Sequence, residues 1–148
     1  MNDSSAKRKA IEDGFAGWAK RHGFKRKKLT ANRTSDSGVQ VVSLEKSNFS
    51  ASFYIRYGIK LKAGDRFVQE PECDIRIPVQ GPWGAQPAFD VEAEPTEEDV
   101  VQLLDAYVVP LLDRTRTRTG IEELRAAGDL DDALVLRDAQ KELGWEDA

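Results

Sequence analysis

The stretch that decides the fold runs from Gly38 to Lys62 and reads GVQVVSLEKSNFSASFYIRYGIKLK. Its second half alternates between an apolar set and a mixed set: Phe53, Ile55, Tyr57, Ile59 and Leu61 against Tyr54, Arg56, Gly58 and Lys60. A side-chain period of two is typical of a β-strand, because successive side chains point to opposite faces of a sheet. We therefore predict a sheet with one face against a core and the other face partly exposed to solvent.

Three further strands are predicted around this one. Turn residues at 35–38 separate the first two strands, and a short polar connection leads to the third, so these strands are expected to pair antiparallel. In the fourth strand, Pro78 should place the strand end at a sheet edge or outside the ladder, because proline has no N–H to donate. The predicted strands span residues 24–33, 39–44, 51–62 and 72–79.

Segments with apolar residues at helical spacing lie before and after the predicted strands in the sequence. Ala10, Ile11, Phe15, Trp18 and Ala19 predict a helix over 6–22, with Gly23 as its stop. After the strands, Thr96-Glu97-Glu98-Asp99 resembles a capping box with Asp in place of Glu, and it opens a helix that Pro110 must kink or end.

Two shorter helices complete the prediction. One covers residues 121–127 and is stopped by Gly128, and the last begins at 129–132 and continues through Leu143 within the 129–148 segment. The predicted fold is α+β, a four-stranded antiparallel sheet with an N-terminal helix and C-terminal helices packed on one face. We expect a single domain over residues 1–148, with 1–5 frayed and 80–95 a long loop.

Charge is unevenly distributed along the 148 residues. Ten Lys and Arg against three Asp and Glu give residues 1–33 a formal charge of +7, so the net charge of −4 leaves −11 for the remainder. The pI of about 5.1 argues against a dedicated nucleic-acid-binding protein. A single cysteine, the absence of an apolar run of ~20 residues and the lack of a signal-like apolar stretch predict a cytoplasmic protein without a membrane span.

Four segments resemble the bacterial domain-of-unknown-function 4304 family. They read GFKRK at 23–27, VQVVSLEKS at 39–47, FYIRYGI at 53–59 and VPLLD at 109–113, and the resemblance spans about residues 10–128. Arg56 stands where the family pattern has Asn, and Glu45 stands where a second Gln is common. The resemblance implies a small bacterial single-domain protein and no established activity.

No residue pattern predicts a catalytic, metal or cofactor-binding site. His22 is the only histidine, so most hydrolase triads and histidine-based metal sites are excluded, and a cation at a helix C-terminus is the simpler interpretation. Cys73 alternates with Ile75 and Ile77 in a predicted strand, which favours a buried, inert thiol. The sequence therefore favours a non-enzymatic protein that needs no cofactor.

Two charged segments and one mixed surface remain as candidate contact sites. We interpret the basic segment 20–28 as a solvent-exposed rim of the protein. The acidic residues at 92–99 are interpreted as groups that complement the dipole at a helix N-terminus, next to a loop with aromatic residues. Partner-binding energy comes mainly from aromatic and Arg anchors. The predicted partner-binding residues are Tyr54, Arg56, Trp83 and Phe89.

These observations predict a binding module whose partner is another protein, in the form of an inhibitor or immunity-type protein of a bacterial conflict system. Nucleic acid and membrane are not expected as partners, and the oligomeric state is left open. The alternative is an enzyme, or a nucleotide- or nucleic-acid-binding domain, that uses the exposed sheet face and the basic N-terminal segment.

Overall fold

The computed structural model describes residues 3–48 and 51–145, with side chains from residue 6 onward. Helix α1 spans Asp3–Arg21, so Asp3 is already helical, and residues 1 and 2 of the segment expected to fray lie outside the described residues. The helix ends where Gly23 adopts φ 77°. The N–H of Phe24 then donates to the carbonyl of Ala19 at 2.9 Å, which is the capping bond that a left-handed glycine permits.

Within residues 3–48 and 51–145 the antiparallel sheet has seven strands, not the four predicted from the sequence. The strands are β1 (Lys25–Lys27), β2 (Thr30–Ser35), β3 (Gly38–Lys46), β4 (Ser52–Lys60), β5 (Ile75–Arg76), β6 (Phe89–Asp90) and β7 (Leu134–Val135). Their spatial order is β1-β2-β3-β4-β5-β7, and β6 pairs with the start of β4. The prediction of an α+β fold with an antiparallel sheet, an N-terminal helix and C-terminal helices is confirmed at this level.

Two of the predicted strands differ in extent for identifiable reasons. The expected 24–33 strand is a hairpin, because Lys28 takes a positive φ of 54° and reverses the chain between β1 and β2. The expected 72–79 strand is reduced to β5, which pairs with β4 only at Gly58 and Ile59. Pro78 lies beyond β5, outside the ladder, as the sequence predicts.

The alternation of β4 holds throughout the strand. Phe53, Ile55, Tyr57 and Ile59 are all buried in the main core, together with Phe15 and Trp18 of α1. The register places Ser43 opposite Arg56 and Glu45 opposite Tyr54. Ser43 and Glu45 therefore share the mixed face of the sheet, whereas Gln40 and Val42 face the core.

The described part of the C-terminal half contains four α-helices: α2 (Glu97–Tyr107), α3 (Val109–Arg114), α4 (Arg118–Ala126) and α5 (Arg137–Leu143). The predicted capping box is present, since Asp99 N donates to Thr96 Oγ1 at 3.0 Å and Thr96 N donates to Asp99 Oδ2 at 2.9 Å. Pro110 occupies the first turn of α3 and separates it from α2, as predicted.

The last predicted helix starts later than the sequence indicates. Residues 129–132 form turns, and Leu134 and Val135 join the sheet beside β5. Leu136 N then donates to the carbonyl of Asp74 at 2.8 Å, so sheet pairing replaces the first helical turn. As a result Leu134 and Leu136, which the predicted helix would have included, lie outside α5 and are 50% and 42% exposed.

Residues 61–74 cover part of the mixed face of the sheet. The side chain of Asn32 makes a pair of hydrogen bonds with the backbone of Val68, at 2.9 and 2.7 Å. Val68 and Cys73 pack there with Val39 and Val41 in a second, small apolar cluster. Residues 61–74 can lie this close to the sheet because position 58 is a glycine. A Cβ at Gly58 would lie only 2.7 Å from the Cβ of Cys73. None of the described helices combines the length and apolarity needed to cross a membrane.

Candidate functional site

A cleft of about 720 Å³ opens on the mixed face of the sheet, at the side where β5 and β7 lie. The exposed face of β4 forms its floor, and residues 77–86 and β7 form its walls. Three of the four sequence-predicted partner residues line it, namely Tyr54, Arg56 and Trp83. The structure thus brings residues of a strand and of a distant loop to one concave surface.

Arg56 is held in place from two sides. Its Nη2 and Nε donate to Oε1 of Glu45 across the β3–β4 pair, at 3.0 and 3.3 Å. Its guanidinium also lies over the ring of Tyr54, 4.8 Å from the ring centroid. Since Tyr54 and Arg56 are two residues apart on one strand, they share a face, and the ion pair with Glu45 fixes the stack.

A second arginine enters the same cleft from β5. Arg76 Nε donates to Oε2 of Glu70 at 2.8 Å, and Nη2 donates to Oε1 at 3.3 Å. Glu70 is almost fully buried, and its hydrogen bond raises the pKa of Arg76 above the ordinary value. This two-bond pair keeps a charged group ordered at the wall of the cleft.

The exposed Leu134 of β7 stands next to Arg76 in the ladder. It lines the cleft opposite the 80–86 segment, so an apolar side chain lies beside two guanidinium groups. Neither Arg76 nor Leu134 is among the sequence-predicted site residues. Arg76 lies between Ile75 and Ile77 in the sequence, which is a signal for its face, whereas the position of Leu134 depends on a two-residue strand that no local pattern indicates.

Trp83 and Phe89, the aromatic residues of the long loop, have different environments. The ring of Trp83 meets the ring of Tyr107 edge-on at a centroid distance of 5.2 Å and remains partly exposed. Phe89 is only 3% exposed, because β6 places it opposite Phe53 in the core. Phe89 therefore supports the loop from inside and does not present its ring at the surface.

A second cleft of about 490 Å³ continues from the first toward α2, α3 and α4. The two share Ile77, Pro78 and Asp132 in their linings. Tyr107, which is 37% exposed, lines the second cleft and touches Trp83 of the first. Together they form one groove across the end of β5, with the aromatic pair at the junction.

His22 and Cys73 have structural surroundings. His22 Nε2 lies 3.2 Å from Asp105 Oδ1, which also accepts a hydrogen bond from Trp18 Nε1 at 3.0 Å, so α1 is tied to α2. The thiol of Cys73 is inaccessible, and burial raises its pKa to about 12. The environment of Cys73 agrees with its interpretation as a buried thiol, and His22 lies in the contact between α1 and α2.

The acidic cluster at 92–99 is engaged locally. Glu92 and Glu94 lie 3.8 and 3.7 Å from Nζ of Lys7, and Asp99 belongs to the capping box of α2. Within the part of the chain that the structure describes, no group of three or more His, Cys, Asp or Glu is placed to hold a metal ion.

A buried polar network was not anticipated from the sequence. Gln40 Nε2 donates to the hydroxyl of Tyr57 at 3.1 Å and to the carbonyl of Leu112 at 2.8 Å. The Tyr57 hydroxyl lies 2.6 Å from Thr115 Oγ1, which donates to the carbonyl of Leu111 at 2.7 Å. The network joins the sheet to the end of α3. The sequence does contain one signal for this network, because Gln40 alternates in phase with Val42 and Leu44 and therefore falls on the same face of the strand.

A family model with the description "Domain of unknown function (DUF4304)" matches residues 15–114. Because the match covers about two thirds of the chain, the chain belongs to this family. The matched region includes Tyr54, Arg56, Arg76 and Trp83, while Leu134 lies beyond it. No curated protein and no solved structure matches the chain.

Proposed function

We propose that this member of the DUF4304 family is a non-enzymatic binding module that recognises another protein through the cleft of Tyr54, Arg56, Arg76, Trp83 and Leu134. Within that class we propose an inhibitor or immunity-type protein acting in the bacterial cytoplasm. The observation that carries the proposal is that both arginines of the cleft are already fixed by carboxylates on the same surface.

Fixed anchors favour recognition because they reduce the side-chain entropy lost on binding. The Arg56–Glu45 pair and the Arg76–Glu70 pair order two long side chains before any partner arrives. Arginine and aromatic residues are also the types that dominate interface energetics when they are buried at the centre of a contact.

The shape and polarity of the groove favour a protein over a small molecule. The two clefts are open and continuous, and Tyr107 and Leu134 leave large apolar groups exposed along them. An aromatic and apolar centre surrounded by charged groups is the usual anatomy of a protein interface.

The charge of the groove supports a basic partner. Asp132 lies between the two clefts and forms no ion pair within residues 3–48 and 51–145. The groove arginines Arg56, Arg76 and Arg114 are each paired with a carboxylate, so Asp132 adds an uncompensated negative charge that would attract a basic surface.

A capture experiment with matched baits tests the proposal. Wild-type protein, Arg56→Ala and Trp83→Ala are immobilised, and proteins retained from a bacterial lysate are compared by mass spectrometry. Trp145→Ala is the control bait, because Trp145 also lies against an arginine, Arg125 at 4.7 Å, but does not line the cleft. Candidates retained by wild type and Trp145→Ala are then purified and titrated directly.

The proposal predicts at least one partner that binds wild type and Trp145→Ala but is lost with Arg56→Ala and Trp83→Ala. If every retained protein binds all four baits equally, the proposal is wrong. It is also wrong if the protein retains only a small metabolite and converts that metabolite to a product.

A further inference from the structure

Strand β1 is the outermost strand of the sheet at the edge opposite the cleft. It pairs with β2 on one side, in the register Lys25 with Asn32, Arg26 with Ala31 and Lys27 with Thr30. On its other side it pairs with no strand among the described residues. The edge is therefore open, and the direction of its backbone groups determines what it can bind.

The ladder fixes which residue of β1 points outward. Leu44 N donates to the carbonyl of Leu29 at 2.9 Å, and hydrogen-bonded pairs alternate along an antiparallel ladder, so Ala31 directs its own N–H and C=O toward β3. Ala31 then has no backbone group left for β1. Its partner Arg26 consequently directs its N–H and C=O away from β2, toward the open edge.

Exposed cations stand on both sides of this edge. Lys25 and Lys27 share the mixed face of the sheet, where Lys27 Nζ lies 4.8 Å from the centre of the Phe67 ring. Arg26 projects to the helix side, where the last turn of α1 adds Lys20 and Arg21. These five residues and Lys28 make no ion pair within the described parts of the chain.

We propose that the edge of β1 binds an acidic, extended segment of another protein as an added strand. The backbone of Arg26 supplies one donor and one acceptor, and the flanking cations face acidic side chains on both surfaces of the added strand. This contact lies at the opposite sheet edge from the cleft and does not depend on the function proposed for the cleft.

The same charges indicate which kind of molecule can bind at this edge. Lysines on an edge strand repel a second copy of that strand, whereas they attract an acidic one. A nucleic acid is less well matched, because the cations are divided between two faces, the nearby Phe24 ring is buried, and the Phe67 ring already contacts Lys27.

The two ends of the edge limit the added strand to a few residues. The N–H of Phe24 is used by the carbonyl of Ala19, and the carbonyl of Lys28 accepts a hydrogen bond from Arg26 Nη1 at 2.7 Å. Between these two ends, the ladder leaves the N–H and C=O of Arg26 for a partner. The affinity must therefore depend on charge as well as on the backbone bonds.

The probe for this proposal is a fluorescein-labelled, end-capped peptide of four Glu-Val repeats, titrated by fluorescence anisotropy. Arg26→Pro removes the outward N–H, and Arg26→Ala is its matched control because it removes the same side chain and keeps the N–H. Lys25→Glu/Lys27→Glu reverses two flanking charges, and Lys46→Glu/Lys141→Glu makes the same charge change at exposed lysines elsewhere. Circular dichroism verifies that each variant is folded.

We expect Arg26→Pro to bind the peptide about threefold to tenfold more weakly than Arg26→Ala, the cost of one hydrogen bond. Lys25→Glu/Lys27→Glu should abolish binding, and Lys46→Glu/Lys141→Glu should change it by less than twofold. A peptide of four Glu-Pro repeats, which has the same charge but cannot form a strand, should bind more weakly than the Glu-Val peptide. Equal binding by Arg26→Pro and Arg26→Ala, or tighter binding of an eight-nucleotide oligothymidine than of the Glu-Val peptide, would overturn the proposal.

Discussion

The guanidinium of Arg56 lies over the ring of Tyr54, with 4.8 Å between the guanidinium carbon and the ring centroid. Such a pair contributes roughly 0.5–1 kcal/mol at an exposed site. Its larger consequence is geometric, because Glu45 holds the same guanidinium from the neighbouring strand. The sheet face therefore presents an ordered aromatic and cationic anchor in the absence of a partner.

The first prediction concerns the core. Ile55→Ala or Leu104→Ala should lower the free energy of unfolding by roughly 2–5 kcal/mol, because each leaves a cavity among buried apolar groups. Urea denaturation followed by circular dichroism measures the change. Leu134→Ala is the control, since its side chain is half exposed, and it should change stability by less than about 0.5 kcal/mol. An equal loss in all three variants would contradict this description of the core.

The second prediction concerns the buried network. Tyr57→Phe should cost about 1–3 kcal/mol, because Gln40 and Thr115 lose a buried hydrogen-bond partner. Tyr54→Phe is the matched control, since the Tyr54 hydroxyl makes no hydrogen bond within the described residues, and its effect on the unfolding midpoint should be near zero. Indistinguishable midpoints for the two variants would show that the network does not stabilise the fold.

The third prediction concerns alkaline pH. Burial raises the pKa of Cys73 to about 12, whereas a thiol in an unfolded chain has a pKa of about 8.5. At a pH between these two pKa values, the Cys73 thiol is deprotonated in the unfolded state and still protonated in the folded state. The free energy of unfolding therefore falls as pH rises above about 8.5. Burial also raises the pKa of Tyr57, which extends the same effect to higher pH.

Urea titrations between pH 7 and 10 test this sign and its cause. The decrease should approach 1.36 kcal/mol per pH unit above the unfolded thiol pKa, and it should be smaller in Cys73→Ala over the same range. Stability that rises with pH in this range, or an identical pH dependence in Cys73→Ala, would show that the thiol is not the group responsible.

Local patterns were sufficient where short-range chemistry determines the structure. The period of two from Phe53 to Ile59 gave the buried face of β4, and the Thr96/Asp99 box gave the start of α2. The apolar faces of α1, β4 and α2 meet in the core, where Phe15, Trp18, Ile55, Tyr57, Ile59 and Leu104 are buried, whereas Leu103 is partly buried and Tyr107 is 37% exposed. Tyr107 differs because its ring packs against Trp83 at the groove.

Tertiary pairing determined what the sequence did not reveal. Lys28 turns the β1–β2 hairpin with a positive φ, although Gly or Asn is the usual residue for that conformation. The two-residue strands β6 and β7 exist only because β4 and β5 lie beside them. Their positions decide that Phe89 is buried and that Leu134 reaches the cleft, so these two differences from the sequence-predicted site depended on contacts between distant segments.

The most direct test of the central claim is the affinity of a partner, once captured, for three purified variants. Arg56→Ala and Trp83→Ala should each weaken binding by about 2 kcal/mol or more, because both remove an anchor from the centre of the cleft. Lys25→Ala/Lys27→Ala/Lys28→Ala, at the opposite sheet edge, should change the affinity of this partner little at physiological salt. The reverse ranking, with the lysine variant abolishing binding and the wild-type affinity falling steeply with salt, would contradict the account and place the contact on the cations of the β1 edge instead of the cleft.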